Sequence, residues 1–599
     1  MANPPIVAPA ALQHTNEVSC TPRWYVQKSE YHPVPATYCP LVNGEEAFRA
    51  VHEAIAQAKK TIDIICWGFQ PSMFLIRDGD APCLGDLLRV KAKKGVRVRV
   101  LGWEMPGNSA GVAGEANLPG KGGSWDMAGQ TSTFGQRNFD RKWFDSFAVV
   151  RSKAAQRVDE GIPLFVSRGF SGSERLHIAD DVKNNALDPG VSEKMRLILA
   201  STVTHHQKSV LVDYELPDCA VGFVMGHNLL DEYWDTDAHT ARNRGREEKL
   251  ARNKGPTGDK PRQDISCRVT GPVLEHLHHN FATAWEKETG EDLLRLREAK
   301  QVGQQLYPLG SPQMVQLLRT QPQAGRRDIE TLYLQAINNA TDFIYIENQY
   351  FRWPPLAEAI KKAASRLVKK GSDPGLHGSL HLFVVTNVTD DGIGAGVVNT
   401  QRMLEVLGRA DTIPGVTKLR RIKQATEESA IANRGADERD RVSEIRLKKT
   451  VKKINDTPDE ALKIPDIPGL KVHVCSLVAQ DSPSGFNWMP VYIHSKLMIV
   501  NDVFTTHGSA NVNTRSMQVD SELNIAHEWA EVTKVLRRRL WGLHTSGKGM
   551  QDSPDKAFKE WQVIIDNNKS RAEDKVKSRR PVAPLVGFFY AARLLKDLD

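Results

Sequence analysis

Apolar residues in this chain follow two recurring periods, and the order of those periods repeats. Residues 43–69 begin with apolar side chains at helical spacing, Phe48 and Val51 among them, behind an acidic start of Glu45 and Glu46. A mostly apolar run from Thr61 to Phe69 follows and predicts a buried strand. The same pair recurs as a helix over Asp328–Ile337 and a strand over Thr341–Tyr350. A second helix–strand pair comes next in each half, Leu87 to Leu101 and Leu356 to Val388, with Lys94-Gly95 and Lys370-Gly371 as helix stops. Amphipathic helices reaching Trp285 and Trp541 close the two halves alike.

Helices alternating with strands predict an α/β fold, each half a mixed β-sheet flanked by helices. A repeat of about 290 residues is far longer than a solenoid unit, so a whole domain has been duplicated. The expected organisation is an N-terminal extension over 1–42, a first half over 43–300, a second half over 301–547 and a basic and apolar tail over 548–599. A charged insert at 417–470 has no counterpart in the first half and reads equally as a lid or as surface decoration. A pseudo-twofold axis between the halves would bring equivalent residues together at their interface, where ligand sites tend to form.

The repeat carries chemistry. His206-Gln-Lys208 is followed five residues later by Asp213, and His494-Ser-Lys496 five residues later by Asn501. Both lie in strand-like runs, so alternation places each His and its Lys on one face. Parity puts residues 213 and 501 on the other face, which predicts a structural role for Asp213 and makes Asn501 tolerable in place of an acid. His205 should face away from His206 and be packed or hydrogen-bonded.

This constellation resembles the phospholipase D superfamily, whose two His-x-Lys-x(4)-Asp motifs meet at one active site. The likeness extends to Gly226-His227-Asn228 and Tyr233-Trp234-Asp235-Thr236 after the first motif, and to Gly508-Ser509-Ala510-Asn511 and Asp520-Ser521-Glu522 after the second. Ile344 to Phe351 is similar to a signature of phosphatidylcholine-type phospholipases D. The resemblance implies two phospholipase D-like domains with the active site between them, His206 as nucleophile and His494 as acid and base, with the two roles interchangeable on spacing alone. Lys208 and Lys496, with Asn228, Ser509 and Asn511, would donate to the phosphate oxygens. Gln349 joins the substrate-binding set. A carboxylate on the second nitrogen of each imidazole would fix its tautomer, and Asp235 and Glu522, similarly spaced from the two histidines, are the candidates.

Glu347, Asn348 and Gln349 interrupt an apolar run and read as a cleft rim or a capped strand end; Trp67, Phe69, Phe351 and Trp353 read as pocket lining or core. Basic Lys569 to Arg580 precedes the apolar stretch Pro584 to Leu595, which suits a membrane interface or packing on the body.

Composition narrows the picture modestly. The chain has 599 residues, 40% hydrophobic and 7% aromatic, which suits two large globular domains. Its net charge of +8 has the sign expected for anionic substrates but does not separate lipid from nucleic acid. Seven scattered cysteines without Cys-x-x-Cys spacing indicate neither a disulfide framework nor zinc. No calcium-binding loop or Gly-rich nucleotide loop is found, so no cofactor and no metal is expected, nor a divalent-cation requirement. The proline-containing N-terminus lacks a basic segment followed by an apolar one, which predicts a chain made in the cytoplasm without a signal peptide.

The expected activity is hydrolysis of the distal phosphodiester of glycerophospholipids, giving phosphatidic acid through a phosphohistidine. The alternatives are a superfamily nuclease and a phosphatidyl transferase. Tyr31 to Pro40 and Asn43 to Phe48 are similar to bacterial phospholipases D delivered by type VI secretion. That likeness implies an antibacterial effector secreted to the membrane of a target cell, with membrane phospholipids, an immunity protein and a secretion spike component as partners, and no nucleic acid.

Overall fold

In the computed structural model the described residues are 24–126, 129, 131–150, 153–157, 160–244, 255–369, 378–388, 396–432, 439–462, 466–483, 487–573 and 579–595. The first half builds a sheet from β1 (Val34–Val42), β2 (Thr61–Cys66), β3 (Arg97–Trp103), β4 (Leu164–Arg168), β5 (Ser209–Val212), β6 (Val221–Met225) and β7 (Ile265–Thr270). Its spatial order is β4-β3-β2-β5-β6-β7-β1, parallel across β4-β3-β2 and antiparallel thereafter. The second half uses β8 (Gln313–Gln321), β9 (Phe343–Asn348), β10 (Leu380–Val385), β11 (Leu470–Val478), β12 (Lys496–Val500), β13 (Phe504–Gly508) and β14 (Glu522–His527). Its order is β11-β10-β9-β12-β13-β14-β8, with the same pattern of directions. Two copies of one topology therefore make the molecule. They are joined where the start of β1 pairs with β8, Val34 opposite Val315.

Central strands β2 and β9 are buried along their whole length, as strands covered on both faces must be. Helix Asn43–Gln57 lays Ala47, Phe48, Val51 and Ile55 on the first sheet, and helix Asp328–Asn338 lays Ile329, Leu332, Ala336 and Ile337 on the second. Burial of each larger side chain contributes about 1.5–3 kcal/mol. A further apolar cluster spans both halves, with Leu211, Val224 and Val269 packed among Leu317, Leu523 and Ile525. The halves thus share core.

Asp213 and Asn501 both adopt positive φ, 53° and 55°, just past their strands. Asp213 accepts hydrogen bonds from the backbone N–H groups of Lys59, Lys60 and Thr61 at 2.7, 2.6 and 3.0 Å. Asn501 Oδ1 does the same for Thr341, Asp342 and Phe343 at 3.2, 2.9 and 3.2 Å. Each clamps the turn into its central strand, and an amide oxygen serves as well as a carboxylate. Asn501 is therefore chemically equivalent here, because both residue types tolerate the left-handed region. Asp213→Ala should lower unfolding stability by about 2–3 kcal/mol, while Asn501→Asp should stay within about 1 kcal/mol, both read from urea unfolding.

The insert folds as helices Pro414–Ala432 and Arg439–Asp456, packed on each other, with Lys418 bonded to Asp459 and Arg421 near Glu405. The C-terminal stretch is part of the body: Leu585–Gly587 pairs antiparallel with β11, and Leu585 and Phe588 are buried. Among the described residues no helix is long and apolar enough to cross a membrane.

Candidate active site

The two His-Lys motifs meet. His206 and His494 line one cleft between the halves, with Asn228, Gln349, Asn511, Trp67, Glu115 and Tyr492 around them and about 130 Å³ open to water centres. The backbone builds this symmetrically. His206 N–H donates to Ser521 O at 2.9 Å and His494 N–H to Gln263 O at 2.8 Å, so each histidine is stitched to the other half.

The residue after each acceptor is an acid. His206 Nδ1 lies 3.0 and 3.1 Å from the two Glu522 oxygens and 3.0 Å from Ser509 O. His494 Nδ1 lies 2.7 Å from Asp264 Oδ2. A carbonyl oxygen can only accept, so Nδ1 of His206 carries the proton and Nε2 keeps its lone pair. The Asp264 carboxylate imposes the same tautomer on His494. Each imidazole is thus oriented by a carboxylate from the opposite half.

Asp235 does not take part in this. It sits 3.8 Å from His239, accepts from Thr236 N–H at 2.8 Å and Arg262 N–H at 2.7 Å, and lies 3.4 Å from Arg244. It pins the base of the 237–262 excursion and reaches neither catalytic imidazole. Glu522 serves His206 rather than the histidine of its own half. Asp264 was not anticipated, because that excursion lengthens the interval between the first motif and its acid. Counting back from the closing helices finds it: Asp264 stands nine residues before helix Val273–Thr289 and Glu522 eight before helix Ala530–Thr545.

The lysines are buried beside their histidines. Lys208 Nζ donates to His206 O at 2.8 Å, while Lys496 Nζ donates to His494 O and, at 3.0 Å, to Gln349 Oε1. Asn228 and Asn511 are buried at the cleft, and their Oδ1 atoms have no hydrogen-bond partner among the described residues. Ser509 differs from its expected role. Its hydroxyl donates to Glu522 at 2.5 Å and it does not line the cleft, so it supports the carboxylate rather than the phosphate.

Of the three polar residues ending β9, only Gln349 lines the cleft. Glu347 is buried beneath it, taking hydrogen bonds from Ser495 and Tyr345 at 2.5 Å and Gln263 at 3.0 Å and pairing with His544 at 2.6 Å. Asn348 Oδ1 accepts from Val512 N–H at 3.0 Å. Trp67 stacks on Trp103 at the cleft wall, whereas Phe69 and Trp353 belong to the two cores. His205 faces away, stacked on Phe170 and 2.8 Å from Ser521 Oγ. None of the described residues of the 417–470 insert lines the cleft.

Sequence reasoning also missed a group on the His494 side. Tyr233 packs edge-on against His494, with ring centres 4.8 Å apart, and donates to Glu115 at 2.8 Å. Arg262 lies over the Tyr233 and Tyr492 rings and 3.1 Å from Glu232.

Electrostatics follow from burial next to like charge. Burial and then the two lysines hold His206 well below the usual imidazole range, and burial and Lys496 do the same to His494. Burial lowers the Lys208 ammonium to about 8 and pushes Lys496 down further. Burial also raises Glu522 to about 7 against the pull of Lys208. Asp264 behaves oppositely: burial raises it, but His227, His494 and Lys496 outweigh that and hold it below the usual carboxylate range. A site that buries two lysines beside two imidazoles is suited to an anion.

Comparison with known proteins points the same way. A family model described as Phospholipase D matches residues 54–119. Phospholipase D alpha 2 of Brassica oleracea var. capitata is 27% identical over 563 residues, and its namesake in Arabidopsis thaliana is 26% identical over 567 residues. In sequence and in its paired motifs the chain is similar to the phospholipases D. Each alignment covers 81% of this chain and 61% of the relative, so the chain spans about three-fifths of these plant proteins. Among solved structures, a phosphatidylserine synthase from Haemophilus influenzae Rd KW20 aligns over 90% of this chain and 95% of its own, at 13% identity and a TM-score of 0.37.

Proposed function

We propose that this chain is a member of the phospholipase D superfamily and a phospholipase D, cleaving the distal phosphodiester of glycerophospholipids. The observation that carries the reading is the paired imidazole arrangement: two histidines on one cleft, each held in the Nδ1–H tautomer by an acid from the other half.

In the proposed reaction His206 Nε2 attacks phosphorus and the bond to the headgroup oxygen breaks, while His494 in its protonated form gives that oxygen a proton. The phosphatidyl group is then held on His206. Neutral His494 next takes a proton from water, whose oxygen displaces His206 and releases phosphatidic acid. Lys208 and Lys496 face the charge that builds on the non-bridging oxygens, and Asn228 and Asn511 complete the donor set through their amide nitrogens. An anionic phosphate in the cleft raises the pKa of both lysines and of His494, so all three are charged when they are needed. No cofactor is assigned, since these side chains supply nucleophile, acid, base and counter-charge.

The pH dependence follows from Glu522 and Lys208. Below about 7 Glu522 takes up a proton and no longer faces His206 as an anion; above about 8 Lys208 loses its charge. Plotted against pH, kcat/KM on a monomeric short-chain phospholipid should be a narrow bell between these values, and Glu522→Gln should remove the acid limb while lowering the rate. An acid limb unchanged in that variant would assign it to another group.

The direct test supplies defined phospholipids and DNA, with and without ethanol. Phosphatidic acid from the lipids, and phosphatidylethanol when ethanol is present, support the reading. DNA cleavage with the lipids intact would transfer the site to the nuclease alternative, and headgroup exchange without hydrolysis would transfer it to the transferase one. The similarity of residues 31–48 to secreted effectors supports a role at the membrane of a rival cell, with an immunity protein and a spike component as partners. That role is tested by co-culture of bacteria expressing the chain or its His206→Ala form.

A further inference from the structure

A second recess adjoins the catalytic cleft and shares three residues with it, Gln349, Tyr350 and Arg352. Beyond that junction its walls are mainly apolar, with Thr386, Asn387 and Thr400 among them, and the apolar side chains come from distant parts of the chain: Phe351 after β9, Val397 opening helix Val397–Val406, Ile413, and Phe588 and Tyr590 from the C-terminal stretch. The stretch is fixed in place. Phe588 N–H donates to Val474 O and Tyr590 N–H to Thr412 O, both at 2.9 Å. The polar rim is fixed as well, since Asn387 Nδ2 donates to Gln349 O at 3.1 Å and to Ile493 O at 2.8 Å.

The order of chemistry from cleft to recess has a direction. Gln349 touches Lys496, and Arg352 stacks over the Tyr350 ring at 3.6 Å where the two spaces join. Past them aromatic and branched aliphatic side chains make up most of the lining, with Thr386 and Thr400 between them. A molecule reaching from one space into the other would place an anion at the lysines, a polar ester beside Arg352 and hydrocarbon beyond. About 40 Å³ of the recess is open to water centres, room for roughly three waters or a short run of methylenes.

We infer that this recess is an acyl-chain subsite, which takes the first few methylenes of one fatty acyl chain of the retained phosphatidyl group. The inference rests on the phospholipase reading above and adds to it where the hydrocarbon goes. Every buried methylene is worth roughly fourfold in binding. The gain should therefore grow with chain length over the first few carbons and then level off.

The experiment measures kcat/KM of the full chain on glycerophosphocholine and on diacetyl and dihexanoyl phosphatidylcholine presented as monomers. The dihexanoyl-to-diacetyl ratio should be at least about tenfold. Val397→Trp, which fills the recess from a half-buried helix start, and Tyr590→Ala, which removes one wall, should each cut that ratio at least about fivefold, with activity on glycerophosphocholine within about twofold of the parent. A ratio unchanged in both variants overturns the inference, and so does an equal loss on all three substrates, which would mark a structural defect. A parent chain that cleaves none of the three overturns the phospholipase reading itself.

Discussion

His206→Ala should lower kcat by at least about 10⁴-fold, because in the proposed reaction this imidazole carries the covalent intermediate. His494→Ala should fall as steeply on natural phospholipids, yet the two variants should part company on a substrate with a nitrophenol headgroup. Nitrophenol leaves without a proton, so the first half-reaction no longer needs an acid. His494→Ala should then release about one equivalent in a burst and stall, because nothing activates water against the phosphohistidine. His206→Ala should show no burst. A burst from His206→Ala with none from His494→Ala would exchange the two roles. The fold does not prejudge this, because the backbone places the two imidazoles in nearly equivalent settings.

Asp264→Asn should be the second most damaging change, lowering kcat by about 10²–10⁴-fold, in line with loss of the orienting carboxylate in other histidine-based sites. The asparagine side chain can turn its NH₂ toward His494 Nδ1 and so favour the opposite tautomer, with Nε2 protonated and unable to act as base. Asp235→Asn is the control, since Asp235 holds backbone N–H groups and Arg244 but touches neither imidazole. It should leave kcat within about threefold while lowering thermal stability. Steady-state kinetics on one monomeric phospholipid would compare the pair. Equal losses in both variants would remove Asp264 from its assigned role.

These two aspartates mark where the sequence could be read and where it could not. The duplicated motif and the paired helix–strand patterns specify the topology because burial on both faces leaves a strong periodic signal in β2 and β9. Strand parity likewise anticipates that Asp213 and Asn501 clamp turns, since it depends only on local geometry. The orienting acids depend on long-range geometry instead. Glu522 opens β14 and Asp264 immediately precedes β7, and each side chain reaches the histidine of the other half, so spacing from the histidine in the same half is the wrong ruler. The excursion before Asp264 made it wrong by some thirty residues, with Asp235 standing at the deceptive interval. Ser509 shows the same limit on a smaller scale, because its position beside the cleft is visible in the motif but its rotamer toward Glu522 is not. The acyl recess was legible only in part: Phe351 reads as a lining candidate, whereas its partners Val397, Ile413 and Phe588 come from segments that no local pattern connects.

The central claim is that the two halves build one site around a single phosphorus, and a transition-state mimic tests it most directly. Crystals of the full chain soaked with orthovanadate should show one vanadium atom bonded to Nε2 of His206, with Nε2 of His494 within hydrogen-bond distance of the opposite apical oxygen and both lysine Nζ atoms on the equatorial ones. Vanadium held by one motif alone, with the other imidazole and its lysine turned away from it, would contradict the account.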